Sequence, residues 1–158
     1  MNYSPNFKSY IKTTFDPAQE WALSTEGRSW IKKHIPKLDV LIETQYDSCI
    51  FGVYILRFNN IPWYCGESVR LIRRLCVHAW NLRFNSENVF GVTTAMLDDI
   101  VVDVEIVSQG LYEQMDRKSE ELFWISRFKP VLQPNTGTDL CASRRVRKRL
   151  AQQALSTV

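Results

Sequence analysis

The sequence predicts an α/β fold: a small three-stranded antiparallel sheet flanked by helices, with helical additions at both ends. Three observations lead there. Two β-rich runs, CIFGVYILRF and IPWYCG, are separated by Asn59-Asn60, the pattern of a hairpin. Apolar residues recur at helical spacing from Val69 to about Phe84. A third run, IVVDVEIVS from Ile100 to Ser108, alternates well enough for a half-buried strand and precedes another helical pattern.

In chain order, the first element is a helix from about Asp16 to Lys37. Asp16 can cap it, Pro17 suits its first turn, Trp21, Trp30 and Ile31 give it an apolar stripe, and Gly27 and Pro36 limit it. The first strand covers Cys49 to Phe58, and the second returns through Ile61 and breaks at Gly66. In the next helix Leu71, Leu75 and Leu82 mark the inner face, while Arg70, Arg74 and His78 follow at four-residue steps along a wet one. After the third strand comes a helix from Asp116 to Phe128, with Leu122, Phe123, Ile125 and Phe128 as its buried set and Lys129-Pro130 as its stop. A basic helix is expected after Cys141.

The bulk composition limits the class. With 158 residues, 45 % of them hydrophobic, the chain can bury one core, and it reads as a single domain over 1–158. No apolar run approaches the roughly 18 residues of a membrane span, and the start MNYSPNFKSY lacks the features of a secretory signal. A cytoplasmic protein without a membrane partner is expected. Cys49, Cys65, Cys76 and Cys141 show no CxxC spacing, and buried thiols in a reducing compartment account for them. The net charge is only +3, yet Arg144, Arg145, Arg147, Lys148 and Arg149 cluster without an acidic neighbour in the sequence, which suits a polyanionic partner.

Taken singly, the notable polar residues have ordinary explanations. Tyr54 and Tyr64 fit hairpin aromatics, His78 fits a surface or core histidine, and Arg70, Arg73 and Arg74 fit a solvated helix face. Glu121 beside Glu120 fits the acidic start of a helix. Their joint order and spacing changes the reading. Gly52-Val53-Tyr54, then Tyr64-Cys65-Gly66 with nine residues between the tyrosines, then Arg74 and His78, then Glu121 in EELFWISRFKP, resemble the GIY-YIG nucleases. The resemblance covers Cys49 to Asn135, leaving 1–48 as an N-terminal extension and 136–158 as a basic C-terminal segment. Cys65 stands where the second signature usually has an aliphatic residue.

The resemblance implies a metal-dependent DNA endonuclease of restriction or phage type, with repair, junction-resolving or homing enzymes as alternatives. A non-catalytic nucleic-acid-binding module is the alternative of a different class. By the same resemblance Glu121 holds one divalent cation, Mg²⁺ or Mn²⁺, and Arg74 presents its fork to the scissile phosphate. Tyr54 activates water with His78 bonded to it, and Tyr64 positions water or phosphate. A phenolate at pH 7 costs about 4 kcal/mol against an ordinary pKa near 10, so nearby positive charge is required. Gly52 and Gly66 fit places of close packing or sharp turning. The family's asparagine falls on Gln133 in the commonest register, and Asn135 two residues later has the matching side chain and is favoured. Arg70, Arg73 and the basic C-terminal residues are the expected DNA contacts, and a homodimer suits a duplex substrate.

Overall fold

The computed structural model describes residues 16–133 and 144–156, with the side chain of Arg144 left outside the description. Asn135 and Cys141 lie outside the described residues. A three-stranded antiparallel sheet of order β2-β1-β3 forms the centre, from β1 (Gly52–Phe58), β2 (Ile61–Ser68) and β3 (Val102–Gln109). Helices flank it on both faces.

The N-terminal helix expected as one piece is three. Residues 16–23 form α1, Thr25–His34 form α2 and Pro36–Gln45 form α3. Ser24 separates the first two, accepting from the Gly27 amide as the cap of α2. Gly27 therefore does not limit a helix. It lies buried inside α2, where a Cβ would collide with the Trp21 carbonyl. Pro36 starts α3 rather than ending its predecessor, because its missing N–H falls where a first helical turn has no partner to offer. These helices share the main core, through Ala22, Ile31, Leu38 and Ile42.

The hairpin forms as expected, with Asn59 and Asn60 both at positive φ, 51° and 66°, which matches the twist of a two-residue turn. The first strand begins three residues later than expected, so Cys49 is exposed while Cys65 and Cys76 are buried. The second strand does not break at Gly66 but continues to Ser68. Between Leu56↔Tyr64 and Arg57↔Pro62 the register slips, so Trp63 has no cross-strand partner. That bulge lets Trp63 enter the same core as Tyr64, where it stacks on Phe58 at 4.7 Å.

Alternation then divides the sheet. Tyr54, Leu56, Phe58 and Tyr64 join the core under α4 (Leu71–Phe84), whereas Val53, Ile55 and Cys65 pack with Ile125 of α7 (Gln114–Phe128). Two short helices not foreseen from the sequence, α5 (Ser86–Phe90) and α6 (Thr94–Leu97), link α4 to β3. On α7, Leu122 and Phe123 are exposed, against expectation. The inward positions are Arg117, Glu121 and Ile125, four residues apart, and two of these are charged. An apolar tally misplaces this helix because paired charges hold its inner face.

As an edge strand, β2 offers unpaired backbone on its outer side, and the segment after α7 covers it. Val131 and Leu132 donate to the carbonyls of Pro62 and Trp63 at 3.0 and 3.1 Å. α8 (Arg144–Ser156) docks on α5 through buried Ala151, and no described helix is long and apolar enough to cross a membrane.

Candidate active site

Four of the expected site residues meet on the α4 face of the sheet. Tyr54, at the middle of β1, is wholly buried, and its hydroxyl lies 2.6 Å from His78 Nε2. The Arg74 guanidinium hydrogen-bonds the hydroxyls of both Tyr54 and Tyr64. The Tyr64 ring stands edge-on to His78 at 5.3 Å. Arg74 and His78, one turn apart, thus lie over two tyrosines from neighbouring strands.

The two adjacent arginines point in different directions. Arg73 turns the other way, with its guanidinium 5.1 Å over the Tyr46 ring and 3.7 Å from Asp47. Arg74 is exposed along its length while its head rests on the phenols. The line of Arg70, Arg74 and His78 expected on a wet face divides. Arg70 is the exposed residue before the helix, whereas His78 is buried between Tyr54, Tyr64 and Phe90.

Burial controls the protonation of this group. Removal from water holds the Tyr54 phenol well above its ordinary pKa, with Tyr64 adding to the effect and Arg74 opposing it. Burial, then the Arg74 charge, holds His78 well below its ordinary value. Both groups are neutral near pH 7. Across the 2.6 Å contact the donor is set by the imidazole tautomer, with Nε2 facing the phenol and the second ring nitrogen, Nδ1, facing away from it. That nitrogen is buried without a hydrogen-bond partner among the described residues.

Gly66 pairs with Tyr54 across the hairpin, and a Cβ there would overlap the Tyr54 hydroxyl. The glycine is needed for close approach, not for the sharp turn that the sequence suggested. Gly52 is similar, since a Cβ would strike the Ser108 carbonyl on β3.

Glu121 belongs to the other face of β2. It is buried on α7, its carbonyl accepts a weak bond from the Cys65 thiol, and its carboxylate lies 3.7 Å from Lys118 Nζ. Glu67, which the sequence reading missed, joins it by holding Lys118 at 3.3 Å and Arg117 at 2.9 Å. The one available signal was its place directly after Gly66, facing opposite to Tyr64 by strand alternation. Burial and the Glu121 charge push the Cys65 thiol up to about 12, so it stays protonated near pH 7.

Gln133 has a structural task. Its side-chain oxygen accepts from the Cys65 amide at 2.8 Å and its nitrogen donates to the Cys65 carbonyl at 2.9 Å, so its amide acts as one more residue pairing with the sheet edge. The expected DNA-contacting residues of α8 are also partly engaged. Lys148 pairs with Glu87 at 2.7 Å and Arg147 donates to the Asn88 carbonyl at 2.8 Å, so the basic run does have an acidic neighbour, supplied by α5. Arg145 and Arg149 are exposed.

Among the described residues, no three or more His, Cys, Asp or Glu side chains gather as a metal site. Glu121 nevertheless suits one hard divalent cation. It presents carboxylate oxygen, the ligand type such a cation takes, and the Lys118 ammonium 3.7 Å away is the competing positive charge. The remaining ligands would be water and substrate oxygens. No family model, curated protein or solved structure matches the chain.

Proposed function

We propose that the chain is a GIY-YIG-type endonuclease that hydrolyses phosphodiester bonds in DNA with help from a divalent cation. The observation that carries the reading is the joint placement of Tyr54, Tyr64, Arg74 and His78, with one guanidinium bridging two phenols and a neutral imidazole 2.6 Å from one of them. Core aromatics alone do not require a permanent cation at their hydroxyls. Phosphodiester hydrolysis does call for such a cation, because charge grows on the phosphoryl oxygens in the transition state.

Each residue has a task in this reading. Arg74, open to solvent, meets the phosphate. Tyr64, at the rim of the cluster, orients the attacking water. As Tyr54 takes the proton from water, its own passes to His78 Nε2, so the buried phenol is not left as a full phenolate. The neutral state of both groups suits that transfer, since His78 has an open lone pair and Tyr54 still holds its proton. Glu121 would hold the cation, Mg²⁺ or Mn²⁺, which when bound supplies Lewis acidity toward the phosphate and the leaving oxygen. Arg70, Arg145 and Arg149 offer the exposed positive charge for duplex backbone.

The test is incubation of purified protein with plasmid and branched DNA in Mg²⁺ or Mn²⁺, beside Glu121→Ala. Cleavage by the wild type and its loss in the variant are expected. DNA binding without cleavage in either metal supports instead a non-catalytic nucleic-acid-binding module, a reading favoured by the complete burial of Tyr54. The mapped ends on the same DNA panel separate restriction or phage-type cutting from junction or repair incision. Sedimentation with and without duplex tests the homodimer.

A further inference from the structure

Lys118 precedes Glu121 by three residues on α7, a spacing that sets side chains over one another. Its ammonium lies 3.3 Å from Glu67 Oε1 and 3.7 Å from Glu121 Oε1. Glu67 also has Arg117, whose Nε donates to Oε2 at 2.9 Å. Two carboxylates and two cations therefore meet here.

The two cations are held differently. The Arg117 side chain is 6 % exposed and also donates to the carbonyls of Leu111 and Tyr112, at 2.8 and 2.6 Å. It is built into the start of α7. The Lys118 side chain is 45 % exposed and ends in a strongly hydrated ammonium on a flexible stem. A divalent cation approaching Glu121 meets that ammonium at the same carboxylate. Two positive charges on one carboxylate repel strongly at this range, and only Lys118 has solvent to retreat into.

We propose that Lys118 is the resident counter-cation of Glu121, so that a divalent cation binds here by displacing it. The inference rests on the reading of Glu121 as the cation ligand. Displacement leaves Glu67 with Arg117, so no buried carboxylate is stranded. It also makes cation affinity lower than the Glu121 carboxylate alone would confer.

The test uses the full chain without DNA, titrated with Mn²⁺ while free Mn²⁺ is read by electron paramagnetic resonance. Lys118→Met keeps the stem and removes the charge, and it is expected to bind Mn²⁺ about tenfold more tightly than wild type. Lys118→Gln should behave alike, Lys118→Arg should stay near wild type, and Glu121→Gln should lose the binding. Thermal unfolding of each variant identifies those that remain folded. Unchanged or weaker Mn²⁺ binding in Lys118→Met and Lys118→Gln overturns the proposal, and so does binding that survives Glu121→Gln. Because DNA is absent, the two readings can fail separately. DNA cleavage with no gain in Lys118→Met affinity removes this inference and keeps the nuclease, whereas a tenfold gain without any cleavage does the reverse.

Discussion

The two faces of β2 handle polar groups in opposite ways. Toward α4, Tyr64 and Gly66 border a cluster in which Tyr54 and His78 are buried and kept neutral, with one guanidinium reaching in from the solvent side. Toward α7, Cys65 and Glu67 border a cluster in which Glu67, Glu121, Arg117 and Lys118 are grouped as compensated charges. The first face lowers the cost of burial by removing charge, and the second by pairing it. A residue on the first face is therefore sensitive to proton balance, and one on the second to the loss of its partner.

The sharpest break in this comparison is Arg74→Ala, which removes a permanent cation from beside the buried, neutral Tyr54 and His78. Single-turnover cleavage is expected to fall about 10³-fold, on the scale of losing one preorganised electrostatic contact. Arg73→Ala, whose side chain faces Tyr46 and Asp47, should leave the rate within about threefold. Equal losses in the two variants would remove the assignment.

Gly66→Ala comes next, because the new methyl meets the Tyr54 hydroxyl from across the hairpin. Denaturant unfolding should show a loss of about 1–3 kcal/mol, the usual range for overpacking. A Tyr54→Phe background should recover part of that loss, since it deletes the atom in the way. No recovery would mean the clash is relieved by backbone movement instead.

Proton balance gives a smaller effect with a defined sign. His78 is held below its unfolded value near 6.5, so below that pH the unfolded chain binds more protons than the folded one. The stability it contributes is present above pH 6.5 and is lost as the pH falls. In His78→Phe the loss below pH 6 should be shallower by about 1 kcal/mol per pH unit. His34, also held low by burial, remains as the common background. Tyr54 acts in the other direction, because its raised value makes stability fall above pH 10, and Tyr54→Phe should flatten that limb. Parallel curves for variant and wild type in either window would contradict the neutral cluster.

The smallest effect is expected at α8. Lys148→Ala breaks a half-exposed pair with Glu87 and should change stability by less than about 1 kcal/mol. The exposed Arg145 and Arg149 should instead set the salt dependence of DNA affinity, with the slope of log K against log salt reduced by roughly 1 for each one neutralised. An unchanged slope would leave α8 as a structural brace only.

Local patterns in the sequence made much of this legible. The hairpin was readable because Asn-Asn supports two positive-φ residues between β-rich runs, and α4 because its leucines repeat at helical spacing. The same spacing put Arg74 and His78 on one line and called all of it wet, which holds for exposed Arg74 and fails for buried His78. Whether a helix face meets water depends on what packs against it, and here the neighbours are Tyr54, Tyr64 and Phe90 from distant parts of the chain. Leu122 and Phe123 show the converse error, because hydrophobicity alone assigned inward positions that Arg117 and Glu121 occupy.

Residue identity and spacing were enough for the sheet and its hairpin, and together with the family resemblance they singled out Tyr54, Tyr64, Arg74 and His78, which gather on one face. They did not reveal that Gly66 lies over that hydroxyl, that Gln133 closes the edge of β2, or that Glu67, Arg117 and Lys118 surround Glu121. Gln133 and Cys65 are 68 positions apart in the chain, and Arg117 and Glu67 are 50. Periodicity reports which side of an element a residue takes, whereas partners and protonation states follow from which sides are brought face to face and how much water is left between them.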